Sequence, residues 1–208
     1  MSHPSPLPLL ALHCCRLKGF ADAPTIAGWA GAEERAVEDT SERLVQRGLL
    51  HLPGSGTLGW ALTPTGRAEN ERLLGLELEL VGARLEIQDA YGRFLGLNAE
   101  LRAICTDWQV RGDQLNDHTD VDHDEAVIGR LLGLHRRARI VCRDLDAHLS
   151  RFGRYEGRLA TARQKVLDGD GGWFTQPLID SYHTVWFELH EDLLATLGID
   201  RSAEASRT

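Results

Sequence analysis

The stretch of residues 48–67 constrains the fold of this chain more than any other part. Leu49–Leu52 and Trp60–Thr63 are predicted to form two short strands, because a Pro-Gly-Ser-Gly turn separates them. Thr63 is placed to cap a following helix, with Pro64 at the first helical position, where a missing backbone N–H costs nothing. The sequence therefore predicts a helix that ends at the start of this stretch, then a two-stranded ribbon, then a capped helix.

Three helices are predicted ahead of the ribbon. Leu7–Lys18 is apolar with a basic end and stops at a glycine, and Asp22 is placed to cap a second helix that runs through Trp29. The third helix, roughly Ala32–Arg47, places apolar or small residues on one face at helical spacing: Val37, Thr40 or Ser41, Leu44 and Gly48.

The chain beyond Pro64 is predicted to be helical. The expected segments are Pro64–Ile87, Gln88–Arg111, Asp122–Leu149, Arg151–Leu167 and Trp173–Leu197. The first two form either one long helix or two, since Gly92 and Gly96 weaken a continuous helix. Amphipathic helices with short connections predict an antiparallel bundle. The expected organisation is a domain over residues 1–66, a helical bundle over 67–200 and a flexible tail over 201–208.

Charge is distributed unevenly between these two predicted domains. The net charge is −8 over 208 residues, but residues 1–66 hold five basic and six acidic side chains. The remaining 18 basic and 25 acidic residues lie further along the chain. A non-specific nucleic-acid chaperone is disfavoured, because such binding needs an excess of positive charge.

Membrane insertion and export are not expected from the sequence. No apolar run approaches the roughly 20 residues of a membrane span, and Ser2–Pro6 has no basic residues ahead of the apolar Leu7–Leu12. The four cysteines, at positions 14, 15, 105 and 142, lack the spacing of a metal or disulfide framework. They are predicted to be buried, reduced thiols in a cytoplasmic protein.

The first third of the chain resembles the winged helix-turn-helix regulators of the MarR and PadR type. The resemblance rests on Arg47-Gly48-Leu49-Leu50, the turn at Gly54–Gly59 and Leu62-Thr63-Pro64-Thr65-Gly66-Arg67, with Val37 and Leu44 on the helix before them. It implies a mainly α fold: an N-terminal winged helix-turn-helix with a small two-stranded wing, followed by the helical bundle. The helical remainder resembles no family that we recognise.

In such regulators the third helix enters the major groove of duplex DNA. The resemblance implies DNA contacts by Arg35, Arg43, Arg47, Thr57 and Arg67. The same outward face also carries carboxylates, which repel phosphates although they accept a hydrogen bond from cytosine N4: Glu38, Asp39 and Glu42. An alternative is therefore a winged helix that docks onto a protein and does not bind DNA.

A cluster of acids and histidines lies between residues 118 and 125. Carboxylate and imidazole groups are metal ligands, and Asp120, Asp122 and Asp124 begin like a calcium loop. The pattern then fails, because Glu125 stands where glycine is required. The favoured interpretation is structural: Asp122 caps a helix and Glu125 completes a capping box. No metal site is predicted, although one using His118 or His123 is the alternative.

The last predicted helix combines histidines with aromatic residues. His183 and His190 are seven residues apart and share a face with Trp186 and Phe187. Hydrogen-bonded core residues are one interpretation, and a small-ligand pocket is the other. The pocket would be lined by Tyr91, Trp108, Tyr182, His183, Trp186 and His190.

Together these patterns predict a cytoplasmic, DNA-binding transcriptional regulator. A homodimer is expected, since two copies match two half-sites, with a partner subunit on the Leu-rich helix Pro64–Ile87. A small-molecule effector bound by the bundle is a further hypothesis. No cofactor, catalytic residue or membrane partner is predicted. The alternatives are the protein-docking module, and a small ligand-binding or metal-binding protein or enzyme that carries an inherited winged helix.

Overall fold

The computed structural model describes residues 2–54 and 59–200, and this part of the chain is mainly helical. Its helices are α1 (Leu7–Lys18), α2 (Ala23–Ala30), α3 (Glu34–Gln46), α4 (Pro64–Val81), α5 (Arg84–Gln109), α6 (Val121–His148), α7 (Gly153–Leu167), α8 (Gly172–Thr175) and α9 (Tyr182–Leu197). A 3-10 turn, Ser150–Phe152, precedes α7. Two small antiparallel sheets complete it, β1 (Leu50–His51) with β2 (Ala61–Leu62), and β3 (Val110–Arg111) with β4 (Gln114–Leu115).

The chain folds into two compact units. The first unit comprises the residues up to Arg84, then Leu149–Arg151, and the residues from Glu191 onward. The second unit comprises Leu85–His148 and Phe152–His190. The first unit is therefore assembled from segments that are distant in sequence, whereas the second unit is nearly continuous.

The core of the first unit lies between α1, α2, α3 and the β1–β2 hairpin. Leu12, Ile26, Val37 and Leu50 are each at most 1% exposed in this core. They come from four different elements, and burial of such side chains stabilises the fold by roughly 1.5–3 kcal/mol each. This shared core fixes the position of α3 and of the hairpin within the unit.

Capping interactions set the starts of two first-unit helices, α2 and α4, where the sequence places them. The Asp22 carboxylate accepts a hydrogen bond from the Thr25 backbone N–H at 2.9 Å, and hydrogen bonds from the side chain and then the backbone of Thr25 lower the pKa of Asp22. Thr63 Oγ1 accepts from the Gly66 N–H at 2.9 Å, with Pro64 at the first helical position. The predicted starts of α2 and α4 are confirmed.

The predicted boundary between the first two helices after the hairpin is wrong. The expected helix Pro64–Ile87 ends at Val81, because Gly82 adopts a left-handed conformation (φ 67°). Its backbone N–H donates to the carbonyls of Leu78 and Glu79 in the last turn. A separate helix, α5, then starts at Arg84 and runs through Gly92 and Gly96. An added Cβ would meet nothing within 4 Å at either glycine. Both glycines therefore lie on the helix surface, and α5 continues through them despite their low helix propensity.

The expected last helix, Trp173–Leu197, is also interrupted. The short α8 ends at Thr175, and a turn that contains Leu178 in a left-handed conformation (φ 68°) separates it from α9. The residue before a proline avoids helical geometry, which explains why α8 stops one residue before Gln176, itself followed by Pro177. The predicted flexible tail 201–208 and Ser55 and Gly56 of the predicted turn lie outside the described residues.

The four cysteines are buried and unbridged. Burial raises the pKa of the Cys15, Cys105 and Cys142 thiols to about 12. Among the described helices, none combines the length and the apolar character needed to cross a bilayer.

Candidate functional site

Helix α3 buries one face and presents the other to solvent. Val37, Ser41 and Leu44 are at most 2% exposed and pack into the first-unit core. The solvent-facing positions carry polar and charged side chains: Arg35, Glu38, Asp39, Glu42, Arg43 and Gln46. The three carboxylates outnumber the two guanidinium groups, so this face is mixed in charge with an excess of negative charge.

The arginines predicted to contact DNA lie on the surface of the first unit. Arg43 donates from Nη2 to Thr40 Oγ1 at 3.2 Å, which orients it along α3. Arg47 Nη2 lies 3.5 Å from Glu69 Oε1, and the Arg47 side chain remains 59% exposed. Arg35 and Arg67 are exposed and form no ion pair with any residue that the structure describes. Thr57, the remaining predicted contact, lies outside the described residues.

A set of short contacts locks the hairpin onto the start of α4. Thr63 Oγ1 donates to the Gly48 carbonyl at 2.7 Å while it caps Gly66. Gly66 lies so close to the residue before β1 that an added Cβ would sit 1.8 Å from the Leu49 carbonyl oxygen. The glycine of the Leu-Thr-Pro-x-Gly-Arg sequence is thus a steric requirement, because only glycine allows this approach.

A third short segment pairs with the hairpin. Ala21, between α1 and α2, exchanges two backbone hydrogen bonds with Trp60, at 3.0 and 2.8 Å. Gly59 permits this pairing, because a Cβ there would lie 2.7 Å from the Ala21 carbonyl oxygen. Up to α4, the order of elements in the first unit is therefore α1, the residue Ala21 that pairs with Trp60, α2, α3, β1, β2 and α4.

The first unit also contains a cluster of buried polar side chains that the sequence analysis missed. We call it the buried polar cluster; its members are each at most 5% exposed and are His13, Asn70, Glu77, Arg151, Asp192 and Thr196. They come from α1, α4, the 3-10 turn before α7, and α9. The cluster therefore joins four segments that are far apart in sequence.

Charged groups meet at the centre of this cluster. The Asp192 carboxylate lies 2.9 Å from His13 Nε2 and 3.9 Å from Arg151 Nη1. Arg151 also donates from Nη2 to Thr196 Oγ1 at 2.7 Å, and the same Nη2 lies 3.6 Å from Glu77 Oε2. Because buried charges are tolerated only when paired, each carboxylate depends on its cationic neighbour.

Aromatic side chains predicted as ligand contacts form a stacked set in the second unit. Phe94 lies at its centre, with ring centroids 4.7 Å from Trp186 and 5.1 Å from His190. Tyr91 lies 6.4 Å from His190, and Tyr182 lies 6.3 Å from Trp186. Four of the six predicted ligand residues are thus brought together, and their rings pack on one another.

Polar contacts hold this aromatic set in place. Trp186 Nε1 donates to Asn98 Oδ1 at 3.0 Å, and the Tyr182 hydroxyl lies 3.3 Å from His135 Nδ1. Burial lowers the pKa of His135 to about 4, with Arg163 and Arg139 acting in the same direction. His135 is therefore a neutral core residue at physiological pH.

The other two predicted ligand residues lie elsewhere. Trp108 stacks on Phe174 with centroids 4.6 Å apart and an angle of 7° between the rings. His183 is exposed, as is Phe187 at 45%, so the predicted shared face of α9 is not buried along its whole length. Helical spacing alone placed His183 with His190, but α9 packs through Tyr182, Val185 and Trp186 instead.

The loop before α6 is organised by hydrogen bonds. Asp120 Oδ1 accepts from the His123 backbone N–H at 3.1 Å, so Asp120, and not the predicted Asp122, caps α6. His118 has a positive φ of 58° and its Nδ1 lies 2.9 Å from Asp124 Oδ2. No group of three or more potential ligands that could hold a metal ion occurs within residues 2–54 and 59–200.

A surface cleft of about 420 Å³ lies in the second unit. Its charged lining includes Arg93, which donates from Nη1 to Asp144 Oδ2 at 2.7 Å and pairs with Asp89 at 3.1 Å. None of the six predicted ligand residues is among its lining residues.

Comparison of the chain with protein-family models, with curated proteins and with solved structures gave no match. The assignment of a function therefore rests on the geometry of the two units.

Proposed function

We propose that this chain is a DNA-binding transcriptional regulator that presents the exposed face of α3 and the β1–β2 hairpin to duplex DNA. The observation that carries the proposal is the order and pairing of elements in the first unit. Three helices pack on one core, Ala21 pairs with Trp60 beside the hairpin, and α4 follows directly. This is the arrangement expected of a winged helix, in which the third helix enters the major groove.

Side-chain placement supports the same proposal. Arg35, Arg43, Arg47 and Arg67 are all exposed on the first unit. Guanidinium groups bind phosphates and guanine edges. Only Arg43 and Arg47 have a described side-chain partner, and both contacts leave donors available.

Electrostatics limit the strength of this binding. Glu38, Asp39 and Glu42 share the exposed face with Arg35 and Arg43. Carboxylates near phosphates weaken binding to DNA by electrostatic repulsion. A DNA-binding surface with little net positive charge also releases few counterions from the DNA. We therefore expect modest non-specific affinity and a shallow dependence on salt, with sequence discrimination supplied by base contacts.

The experiment is a fluorescence-anisotropy titration of the protein with duplexes from its own upstream region and with a scrambled duplex of equal length. The proposal predicts tighter binding to the upstream duplex that persists at physiological salt. Equal affinity for both duplexes, or no binding at low salt, would refute a sequence-specific regulator.

A protein-docking role is the second candidate, and the three carboxylates on α3 favour it. A basic surface on another protein would complement this face without any cost from phosphates. The two candidates differ in one result: the docking module binds neither duplex at low salt. A stable complex with a basic partner that is lost in a Glu38→Lys variant would then support docking.

The expected small-molecule effector is retained as a hypothesis about the second unit. Phe94, Trp186 and His190 stack on one another in this structure. An effector that used the predicted residues would have to separate these rings, and a ligand that did so would change the Trp fluorescence.

A further inference from the structure

Positive charge is concentrated on α6 and α7. Residues 130–165, which span most of these two helices, contain ten Arg and Lys side chains and three Asp and Glu side chains, although the whole chain has a net charge of −8. Some of these arginines pair with carboxylates of α5, as Arg130 does with Asp107 and Arg137 with Glu100. The arginines along the contact between α6 and α7 are compensated only in part.

We call this line of contact the α6–α7 seam; its members are Arg143, Arg139, His135, Glu156 and Arg163. One carboxylate serves two of its arginines. Glu156 Oε1 accepts from Arg139 Nε at 2.8 Å, and Glu156 Oε2 accepts from Arg143 Nε at 3.1 Å. These bonds, that from Arg143 first, lower the pKa of Glu156.

Arg163 has no carboxylate partner in the part of the chain that the structure describes. The residue is half-buried, and its Nη2 lies 3.4 Å from the side-chain oxygen of Gln164, the next residue along the helix. Its Nε is buried and meets no hydrogen-bond acceptor among the described residues. Because a charged group withdrawn from water is stabilised by an opposite charge, Arg163 favours an anion at this point of the seam.

His135 presents a second buried nitrogen without a partner. The residue is 2% exposed, and its Nδ1 lies 3.3 Å from the Tyr182 hydroxyl. Nε2, on the other side of the ring, has no hydrogen-bond partner within residues 2–54 and 59–200. An oxygen ligand beside Nε2 selects the tautomer that carries its proton on Nε2, and the Tyr182 hydroxyl then donates to Nδ1.

Arg163 and His135 lie at a similar level of the seam. A short turn joins α6 to α7, so the two helices run in opposite directions, and the bond between Arg139 and Glu156 fixes their register. Arg163 follows Glu156 by seven residues, about 10.5 Å along α7, and a long side chain leans back toward the start of its helix. His135 precedes Arg139 by four residues, about 6 Å in the same direction. Burial lowers the pKa of His135 and the positive charge of Arg163 lowers it further, which agrees with this proximity.

We propose that the α6–α7 seam binds a phosphate group, held between Arg163 Nε on one helix and His135 Nε2 on the other. The charges of the seam set this ligand class. Three guanidinium groups and one carboxylate leave an excess of two positive charges beside a neutral imidazole. A phosphate group carries about −1.5 to −2 charges at neutral pH and accepts several hydrogen bonds, so it matches this excess better than a carboxylate does.

This site is separate from the surfaces used in the proposed function. Its members belong to the second unit, and none of them is among the six residues predicted to line a ligand pocket. A free phosphate ion and the phosphate group of an organic ester share the chemistry that the seam recognises. Binding of either is independent of DNA, so the test contains no DNA.

The test is calorimetric titration of the full chain at constant ionic strength, with inorganic phosphate, glycerol phosphate and acetate as probes. We expect saturable binding of phosphate, and binding of acetate that is weaker by about ten-fold or more, because acetate carries a single charge. Tighter binding of glycerol phosphate than of inorganic phosphate would assign an organic ester as the ligand, and the reverse order would assign the free ion.

A variant and its matched control test the role of Arg163. Arg163→Gln is expected to weaken phosphate binding by about ten-fold or more, because a charged hydrogen bond is lost. Arg102→Gln removes the same charge from an exposed arginine of the second unit that pairs with no described carboxylate, and it should change the affinity by about two-fold or less.

Imidazole NMR observes the contact directly in the wild-type protein. With ¹⁵N-labelled histidine, saturating phosphate is expected to place the His135 Nε2 resonance at the position of a protonated nitrogen and to slow the exchange of its proton. The exposed His183 on α9 is the internal control and should not respond.

Four results would each overturn the proposal. They are the absence of saturable heat with phosphate up to about 10 mM, acetate binding as tight as phosphate binding, equal phosphate affinities of Arg163→Gln and Arg102→Gln, and a His135 Nε2 resonance that does not respond. A protein that passes these tests but shows no sequence-dependent binding to DNA would refute only the proposed function.

Discussion

His13 and Asp192 are 179 positions apart, yet His13 Nε2 lies 2.9 Å from Asp192 Oδ1 with both side chains fully buried. The contact joins α1 to α9 inside the first unit, and Arg151 and Glu77 lie beside it. Folding of the first unit therefore requires segments from both ends of the chain. A fragment that ends after α4 would lack Arg151 and Asp192 and would leave His13 and Glu77 without these partners.

Arg151→Met is expected to destabilise the protein by about 3–5 kcal/mol. The substitution leaves the Glu77 and Asp192 carboxylates buried beside fewer cations, and a buried charge without its partner is costly. Chemical denaturation measures the change. Arg102→Met is the control, because Arg102 is exposed and forms no ion pair with a described residue; it should stay within about 0.5 kcal/mol of the wild type. Equal effects would show that the cluster contributes nothing specific.

Stability is expected to fall as the pH drops from about 6.5 to about 4. Burial lowers the pKa of His135 to about 4, so the unfolded chain binds a proton in this window that the folded chain does not. Above the pKa of histidine in the unfolded chain, about 6.5, burial of neutral His135 costs no stability. As the pH falls toward about 4, the free energy of unfolding decreases by up to about 3 kcal/mol. Urea denaturation of the wild type and of His135→Gln across this window measures it, and parallel curves for the two proteins would contradict the assignment.

Two alanine substitutions within α4 should change stability in opposite directions. Gly66→Ala places a Cβ 1.8 Å from the Leu49 carbonyl oxygen, so the hairpin must move, at a cost of about 3 kcal/mol or more. Gly75→Ala meets nothing within 4 Å and should stabilise the helix by about 0.5–1 kcal/mol. Thermal melts of both variants test the junction, and a neutral Gly66→Ala would mean that the hairpin is not held against α4.

Native cysteines should resist thiol reagents until the protein unfolds. All four are buried, and burial raises the pKa of Cys15, Cys105 and Cys142 to about 12. At pH 8 about one such thiol in ten thousand is ionised, and the thiolate is the reactive form. Labelling with and without denaturant measures the difference; rapid labelling of the folded protein would contradict the burial of these residues.

Local signals in the sequence predicted the local structure well. Asp22 and Thr63 act through hydrogen bonds that span three residues, and Pro64 acts through its own ring, so a single short segment of the chain contains the whole signal. The end of α4 was missed because the Leu-rich and Glu-rich pattern continues past Gly82, and only the left-handed conformation of that glycine ends the helix. The Thr63 and Gly66 positions were identified as a motif, while the close approach to Leu49 that explains them required the structure.

The candidate sites were harder to predict, because their residues meet only in the folded units. His13 stood within an apolar run, and nothing in that run indicated Asp192 as its partner. Spacing on one helix grouped His183 with His190, but burial separates them. The sequence offered two signals: His13 within an apolar helix, and Arg151 after a long helix. Neither residue identifies its partner by itself.

The central claim, that the exposed face of α3 meets DNA, is tested most directly by removing one carboxylate from that face. We would measure the affinity of Glu38→Gln for a non-specific duplex at low salt, against Glu125→Gln as the matched control on α6. Glu125 is exposed in the second unit, so both variants change the net charge equally. The account predicts that Glu38→Gln binds about two-fold to five-fold more tightly than the control, because one repulsion with phosphate is removed. Equal affinities for the two variants would contradict it, because they would show that Glu38 does not lie near phosphate.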